Sequence, residues 1–509
     1  MSNYIRLESA SVIGVEGNIV VVEVDIQNGL PKFEITGLAD STIREAKERV
    51  RSAIINSGYE FPLGRIIVNL APADIRKEGT SFDLVIAIGI LLSSKQISTA
   101  DDTLNALIAG ELALDGTVRS IKGTLPIVEA AKNNSKQLVY IPAINIHEAK
   151  LIRNIKAIGV RTLRELVAII EGAPVQENFD NDDINVSNTE HVNDFTDIVG
   201  QTHAKRGMLV AAAGSHHLLM VGPPGTGKSM LAKRIPSILT PLNEDEALDV
   251  RKIQSVSGLL LQTNVLNAAR PFRAPHHSIT ATGLIGGMNP PKPGEITLAH
   301  HGVLFLDELT EFSKSELELL RQPLEDGKII IVRAGTSIHF PAQFILVAAL
   351  NPCPCGFYGS KTKECTCKDW ERKRYINKIS GPLRDRFDLQ IEVREVDIEE
   401  TKNKSDDMLT NLSSADMKEC VLKARERQLN RQGKVNSKLS SKEIEHYIKM
   451  DNGAEAFINQ AYKKLGLSMR GYHKVLKVAR TIADLEGVDY VYSNHLAETL
   501  TYRSMEKYY

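Results

Sequence analysis

The chain has 509 residues, 42% hydrophobic and 25% charged, with 62 Lys and Arg against 63 Asp and Glu and a formal net charge of -1. At roughly 150 residues per domain that length predicts about three domains, and the mix excludes a wholly disordered, collagen-like or coiled-coil chain. A nucleic-acid binder fits this balance only if its cations gather on one face. The 5% aromatic content with a single Trp argues against rows of base-stacking platforms, so backbone contacts would dominate.

The first residues carry no basic n-region and no apolar h-region, and the longest apolar run, 84–92, is about half of the roughly 18 residues a membrane span needs. The expectation is a soluble, cytoplasmic protein with no membrane partner. All but one of the five cysteines lie between Cys353 and Cys367, which in a reducing compartment points to a metal or redox site rather than to scattered disulfides.

Residues 1–172 alternate strand-like apolar runs (19–26, 65–70, 104–109, 138–141) with helix-like patterns (41–57, 83–93, 126–133), which predicts a mixed α/β domain. Residues 173–194, with Asp180, Asp182 and Asp183, read as an acidic, solvated linker. A second α/β domain is expected over 195–396, with strands at 218–221, 302–306 and 344–350. The charged stretch 397–412 interrupts the pattern. Helical periodicity over 413–509, as in Tyr472, Val475, Leu476, Ala479 and Ala483, predicts a small helical domain.

Gly222-Pro223-Pro224-Gly225-Thr226-Gly227-Lys228-Ser229 fits G-x-x-x-x-G-K-[ST], follows an apolar strand and leads into a helical run that begins at Met230. The glycines let backbone N–H groups curl around a β-phosphate, Lys228 reaches the β and γ oxygens, and Ser229 offers a hydroxyl to Mg²⁺; Met230 completes the nucleotide-binding set. A second apolar strand ends in Asp307-Glu308. There Asp307 could hold the Mg²⁺ shell and Glu308 polarise the attacking water, although adjacent acids also serve as helix N-terminal residues.

This order of parts resembles the AAA+ ATPases. Asp197-Ile198-Val199-Gly200-Gln201 looks like the adenine-side box, Asn351 is similar to the sensor 1 residue, Arg386 in Arg386-Phe387-Asp388 resembles the arginine finger presented to a neighbouring subunit, and Arg470 sits where a sensor 2 arginine is expected. Arg384 is the rival for the finger, and either arginine could instead pair with Asp385 or Asp388. An arginine in trans works only when the next subunit is docked, so the resemblance implies a homohexameric ring.

The basic, Gly- and Pro-rich stretch 270–295 and a hairpin expected over 329–332 and 336–340 resemble the helix-2 insert and pre-sensor hairpin of the clade that holds magnesium chelatase ATPase subunits and MCM helicases. Arg270, Arg273, Lys292, Lys328 and Arg333 could therefore touch DNA, or be ordinary surface charge. The histidine pairs 216/217, 276/277 and 300/301 are not read as metal ligands, because adjacent histidines on a strand point to opposite faces.

Cys353-Pro354-Cys355 and Cys365-Thr366-Cys367 form two C-x-C knuckles nine residues apart, which can close a tetrahedral Zn²⁺ site or remain a redox pair or free thiols. Around them Lys361, Lys363, Lys368, Arg372, Lys373, Arg374 and Lys378 face three acids, a basic patch able to meet phosphate. Cys420 stands alone and reads as core. The cluster directly after Asn351-Pro352 resembles the ComM/YifB branch of magnesium-chelatase-like AAA+ proteins, and this resemblance covers nearly the whole chain.

In the first domain, 76–83 and 110–118 look like the two signature regions of the Lon-protease fold, which the RadA recombination protein uses without proteolysis. Ser81 falls where Lon places its nucleophile, but the partner lysine is expected near Leu125 and the nearest, Lys122, falls short, so peptidase activity is not expected. The full expectation is a Lon-like domain, an AAA+ core and a helical lid, using ATP, Mg²⁺ and Zn²⁺ to drive single-stranded and branched DNA during integration of transforming DNA. The alternatives are a magnesium chelatase motor subunit and a protein remodeller or Lon-like peptidase.

Overall fold

The computed structural model describes residues 4–37, 41–73, 77, 79–99, 105–175, 194–260, 269–288, 291–333, 336–395 and 412–503. Residues 176–193 and 396–411, which hold most of both expected linkers, lie outside these, as do Arg76 and Leu104.

The first α/β unit is built on a long antiparallel hairpin, Tyr4–Ile13 against Glu16–Gln27. Alternation along the second strand buries Val20, Val22 and Val24 on one face. The hairpin lies inside a seven-stranded sheet ordered Lys32–Thr36, Arg65–Ala71, Glu16–Gln27, Tyr4–Ile13, Leu107–Ile108, Leu138–Pro142 and Lys156–Val160. Helix Asp83–Ser93, apolar all round and buried at every position, packs beneath it, with Arg49 bonding the buried Asp83 at 2.8 and 3.1 Å. Three of these strands were not expected from the sequence. In Tyr4–Ile13 the buried positions include Ser9, Ala10 and Ser11, small residues that hide the apolar alternation.

The second sheet has five parallel strands ordered Phe272–Arg273, Val303–Leu306, Ile345–Leu350, Leu218–Val221 and Leu389–Glu392. Its inner strands are buried throughout, as their unbroken apolar runs require when both faces are covered. The first strand in chain order, Leu218–Val221, sits between the fourth and fifth. The carboxyl ends of Leu218–Val221, Val303–Leu306 and Ile345–Leu350 therefore open side by side where the strand order reverses, the place where such sheets bind ligands.

Hairpin Lys328–Arg333 and Thr336–Pro341 forms as expected and is braced by the first unit: Ile13 and Val15 join its core, and a Cβ on Gly14 would meet Ile338 at 2.9 Å. The carboxyl-terminal part is helical, from Ser414–Gln432 to Ser493–Thr501. Its first helix shares a core with the second α/β unit, Met417, Val421 and Ala424 packing among Leu231 and Ile235, while Ile444, Ile458, Val475 and Leu496 form a core of their own. Cys420 is half-buried at the edge of the shared core. Among the described residues no helix is long and apolar enough to cross a membrane.

Candidate ATP site and the opposite cavity

The loop 222–227 leaves its strand and enters helix Lys228–Ile238. Gly222 has no room for a side chain, since a Cβ there would meet Val393 O at 2.0 Å, whereas Gly225 and Gly227 hold positive φ with open space beside them. Lys228 is 8% exposed, and its Nζ donates to Gly222 O at 2.7 Å, Pro223 O at 2.8 Å and Asn351 Oδ1 at 3.2 Å. Burial pushes its pKa down to about 8, against the opposing pull of Asp307 and Glu308. Ser229 Oγ donates to Asp307 Oδ2 at 2.6 Å. The structure thus brings Lys228, Ser229, Asp307 and Asn351 together from three strand ends, with an open cradle above them and the hydroxyl–carboxylate pair that a hard divalent cation takes, a donor set suited to a phosphate chain and Mg²⁺.

Glu308 sits at φ 49° with its side chain 55% exposed, and its N–H donates to Asp307 Oδ1 at 3.0 Å. His277 Nδ1 lies 3.6 Å from Glu308 Oε2, a neighbour that sequence reasoning did not place. Gln201 donates to Thr226 O at 3.4 Å, and Asp197 pairs with Arg234 of the P-loop helix at 2.9 Å, so the 197–201 segment lies against the loop. Met230 is half-exposed on the same helix.

Arg386 and Arg470 stand elsewhere. Both line a cavity of about 900 Å³ that also takes in Arg425, Lys438, Lys474 and Lys477 and includes no residue of the P-loop. Burial lowers the pKa of Arg425 to about 10 and, in the same direction, those of Lys438, Lys474 and Lys477. Arg386 is parked on Glu325 at 2.6 Å, and its Nε is buried without a hydrogen-bond partner. Lys474 donates to the carbonyls of Asp385 and of Phe387, the latter at 3.0 Å, and so clamps the loop on both sides of Arg386; no sequence motif marks it. Asp388 is held ionised, well below the usual carboxylate range and despite its burial, chiefly by His216 and Lys474, so it is not the partner of Arg386.

The four cysteines converge. Sγ atoms lie 3.4 Å (Cys353–Cys355), 3.7 Å (Cys353–Cys365) and 3.6 Å (Cys355–Cys365) apart, and Cys355 N–H donates to Cys367 Sγ at 3.4 Å. A tetrahedral Zn²⁺ with bonds of roughly 2.3 Å needs edges of roughly 3.8 Å, so the donor set fits the ion with little adjustment. Gly356, at φ 85°, presses on the P-loop: a Cβ there would meet Pro224 Cδ at 3.0 Å.

Other expectations change. Arg270 is tied to Thr240 O at 2.5 Å, His301 O at 2.7 Å and Glu246 at 2.9 Å, and Arg273 forks onto Glu295 at 2.6 and 2.7 Å; both brace the fold instead of offering themselves to DNA. Lys292 and Lys328 are exposed, and the side chain of Arg333 lies outside the described atoms. Two of the three histidine pairs are not on strands facing opposite ways: rings 276/277 and 300/301 lie 4.0 and 3.9 Å apart. Asp249, His300 and His301 even present ligand atoms within 4.8 Å of one another. His300 Nδ1, however, accepts the Gln343 N–H at 3.0 Å, and burial holds the ring neutral with a pKa of about 3, so its proton sits on Nε2 and neither nitrogen keeps a lone pair for an ion. Lys122 lies against Gly258 of the second unit, and Leu125 N–H donates to the buried Glu148 at 3.1 Å.

A buried parallel sheet with this strand order and with these residues at its carboxyl ends defines a P-loop ATPase, and the chain belongs to the magnesium-chelatase-like AAA+ family. The family descriptions "Magnesium chelatase, subunit ChlI", "Subunit ChlI of Mg-chelatase" and "Magnesium chelatase, subunit ChlI C-terminal" match residues 194–401, 22–145 and 411–503. The chain is 45% identical to Competence protein ComM of Haemophilus influenzae, over 98% of this chain and 97% of that protein. It is 41% identical to the uncharacterized protein YifB of Escherichia coli, again over 98% and 97%. The magnesium-chelatase 38 kDa subunit of Rhodobacter capsulatus is 27% identical over only 32% of this chain and 51% of that protein. ATPase activity with ATP and Mg²⁺ follows from the family.

Proposed function

We propose that the protein is a homohexameric, ATP-driven DNA translocase that migrates branched DNA during recombination of transforming DNA. The observation that carries the ring is the placement of Arg386 and Arg470 in a cationic cavity with no P-loop residue, since a finger that cannot reach its own nucleotide serves a neighbour's. Likeness over nearly the full length to a competence protein supports DNA as the cargo.

In this reading Lys228 holds the β and γ oxygens, and Ser229 and Asp307 would hold Mg²⁺, which when bound neutralises charge building on the phosphates. Glu308 accepts the proton of the attacking water, Asn351 orients that water, and Arg386 and Arg470 of the adjoining subunit complete the charge. Residues 222–230 cradle the nucleotide, and Cys353, Cys355, Cys365 and Cys367 hold Zn²⁺ as a strut against the P-loop. Residues 270–295 and hairpin 328–341 act as pore insertions with Lys292, Lys328 and Arg333 as the remaining candidate contacts, and 1–172 is a Lon-like, non-proteolytic module. The expected domains are 1–172, 195–396 and 413–509, joined by the linkers 173–194 and 397–412.

The test is branch migration of a synthetic three-way junction. ATP supports it, a non-hydrolysable analogue does not, and a Glu308→Gln protein that still resolved the junction would sink the mechanism. A magnesium chelatase motor is the weaker reading, because the likeness to the Rhodobacter capsulatus 38 kDa subunit covers about a third of the chain, against 98% for the competence protein.

A further inference from the structure

Helix Asp369–Ile376 leaves the cysteine knuckle with two faces of opposite character. Tyr375 and Ile376 are buried, whereas Trp370, the only tryptophan of the chain, is 57% exposed. Lys373 and Arg374, three and four residues on, share its side of the helix and are exposed too. Arg372 turns the other way, stacking over Tyr358 at 4.2 Å and donating to Cys367 O at 3.1 Å, which makes helix and knuckle one unit. The acids here are already engaged: Asp369 pairs with Arg372, and Glu371 accepts the Lys368 N–H at 2.8 Å. What faces outward is an indole beside two cations, Lys373 and Arg374, that form no ion pair among the described residues. That is the pairing by which proteins hold unpaired bases, the ring stacking on the base and the cations following the phosphates.

We propose that this face binds single-stranded DNA, with one base stacked on Trp370 and the adjoining phosphates on Lys373 and Arg374. The proposal rests on the reading of DNA as cargo and says where an unpaired base is held. A duplex hides its base faces, so displaced single strand, not paired DNA, is the ligand. The inner side of the same unit touches the ATP site at two points: Lys378 Nζ donates to Thr310 O at 3.0 Å, in the turn that follows Glu308, and Gly356 presses on Pro224.

Because Trp370 is the sole indole, its emission in the full-length protein reads the site directly. Oligodeoxythymidylate is expected to quench it saturably, while an abasic oligomer of the same length binds without quenching. By fluorescence anisotropy of labelled oligodeoxythymidylate, Trp370→Ala weakens binding about tenfold and Trp370→Phe clearly less. The Lys373→Ala/Arg374→Ala variant lowers the slope of log affinity against log salt by about 1.4, as loss of two single-strand phosphate contacts requires. Thermal melting of each variant checks its fold. If the oligomer binds but leaves emission unchanged, or Trp370→Ala binds like wild type, the site is wrong and the DNA reading stands. No binding of any DNA overturns both. Quenching by nucleotide alone, with no further change on adding DNA, also overturns the site.

Discussion

In the proposed reading the P-loop site and the Arg386 cavity both serve phosphate, yet only one is finished within a single chain. At the P-loop the buried cation and the strand-end acid are each held: Lys228 has three acceptors and Ser229 holds Asp307. In the cavity the cations crowd one another, burial lowers their pKa values, and Arg386 borrows Glu325 while its Nε goes without a hydrogen bond. The cations lining the cavity outnumber its acids, Glu246, Glu325, Asp326, Asp385 and Asp388, and in the proposed ring that surplus meets a nucleotide on the next subunit.

The strongest way to break this contrast is to separate the two halves onto different chains. Arg386→Ala is expected to lower steady-state phosphate release by about a thousandfold or more, Arg384→Ala by much less. Mixing Arg386→Ala with Lys228→Ala subunits should restore turnover at interfaces that pair an intact P-loop with an intact finger, and failure to complement would place both in one site. Glu308→Gln follows, with turnover down by about a hundredfold or more while nucleotide still binds, as equilibrium binding of a fluorescent ATP analogue would show. Cys365→Ser sharpens the P-loop side: elemental analysis should find the zinc lost, the melting temperature should fall by a few degrees, and ATP affinity should drop because Gly356 braces Pro224. The smallest effect is on pH. With Lys228 at about 8 in the free protein, the cation that grips phosphate is intact below that pH and lost above it. Affinity for ADP should be flat up to about pH 8 and then fall by up to about tenfold per unit, and a flat profile to pH 10 would contradict the lowered pKa.

How much of this the sequence made legible depends on how far apart the partners lie. The P-loop, Asp307-Glu308 and the two C-x-C knuckles are short contiguous patterns, each with its chemistry in its spacing. Asn351 was legible only as a polar residue at the end of an apolar strand; its bond to Lys228 spans 123 positions. Arg270 and Arg273 read as free cations because their partners, Glu246 and Glu295, come from other elements. Lys474, which clamps the 385–387 loop, carries no local signal, and His277, beside Glu308, showed only as one of three histidine pairs. Trp370 is what composition leaves open: one tryptophan in 509 residues argues against rows of base-stacking platforms but says nothing of where that one ring points, and it is exposed.

By itself the sequence determined the local patterns: the phosphate-type loop, the acid pair at a strand end, the thiols that gather, and the α/β, α/β, helical succession. These follow from spacings of a few residues, where chain connectivity alone fixes the geometry. Only the tertiary structure decided the sides. The order of the buried parallel strands set Lys228, Asp307 and Asn351 on one edge, and the clamp of Lys474 on the 385–387 loop set Arg386 on a face away from them, because those contacts join residues dozens to hundreds of positions apart that only packing brings together.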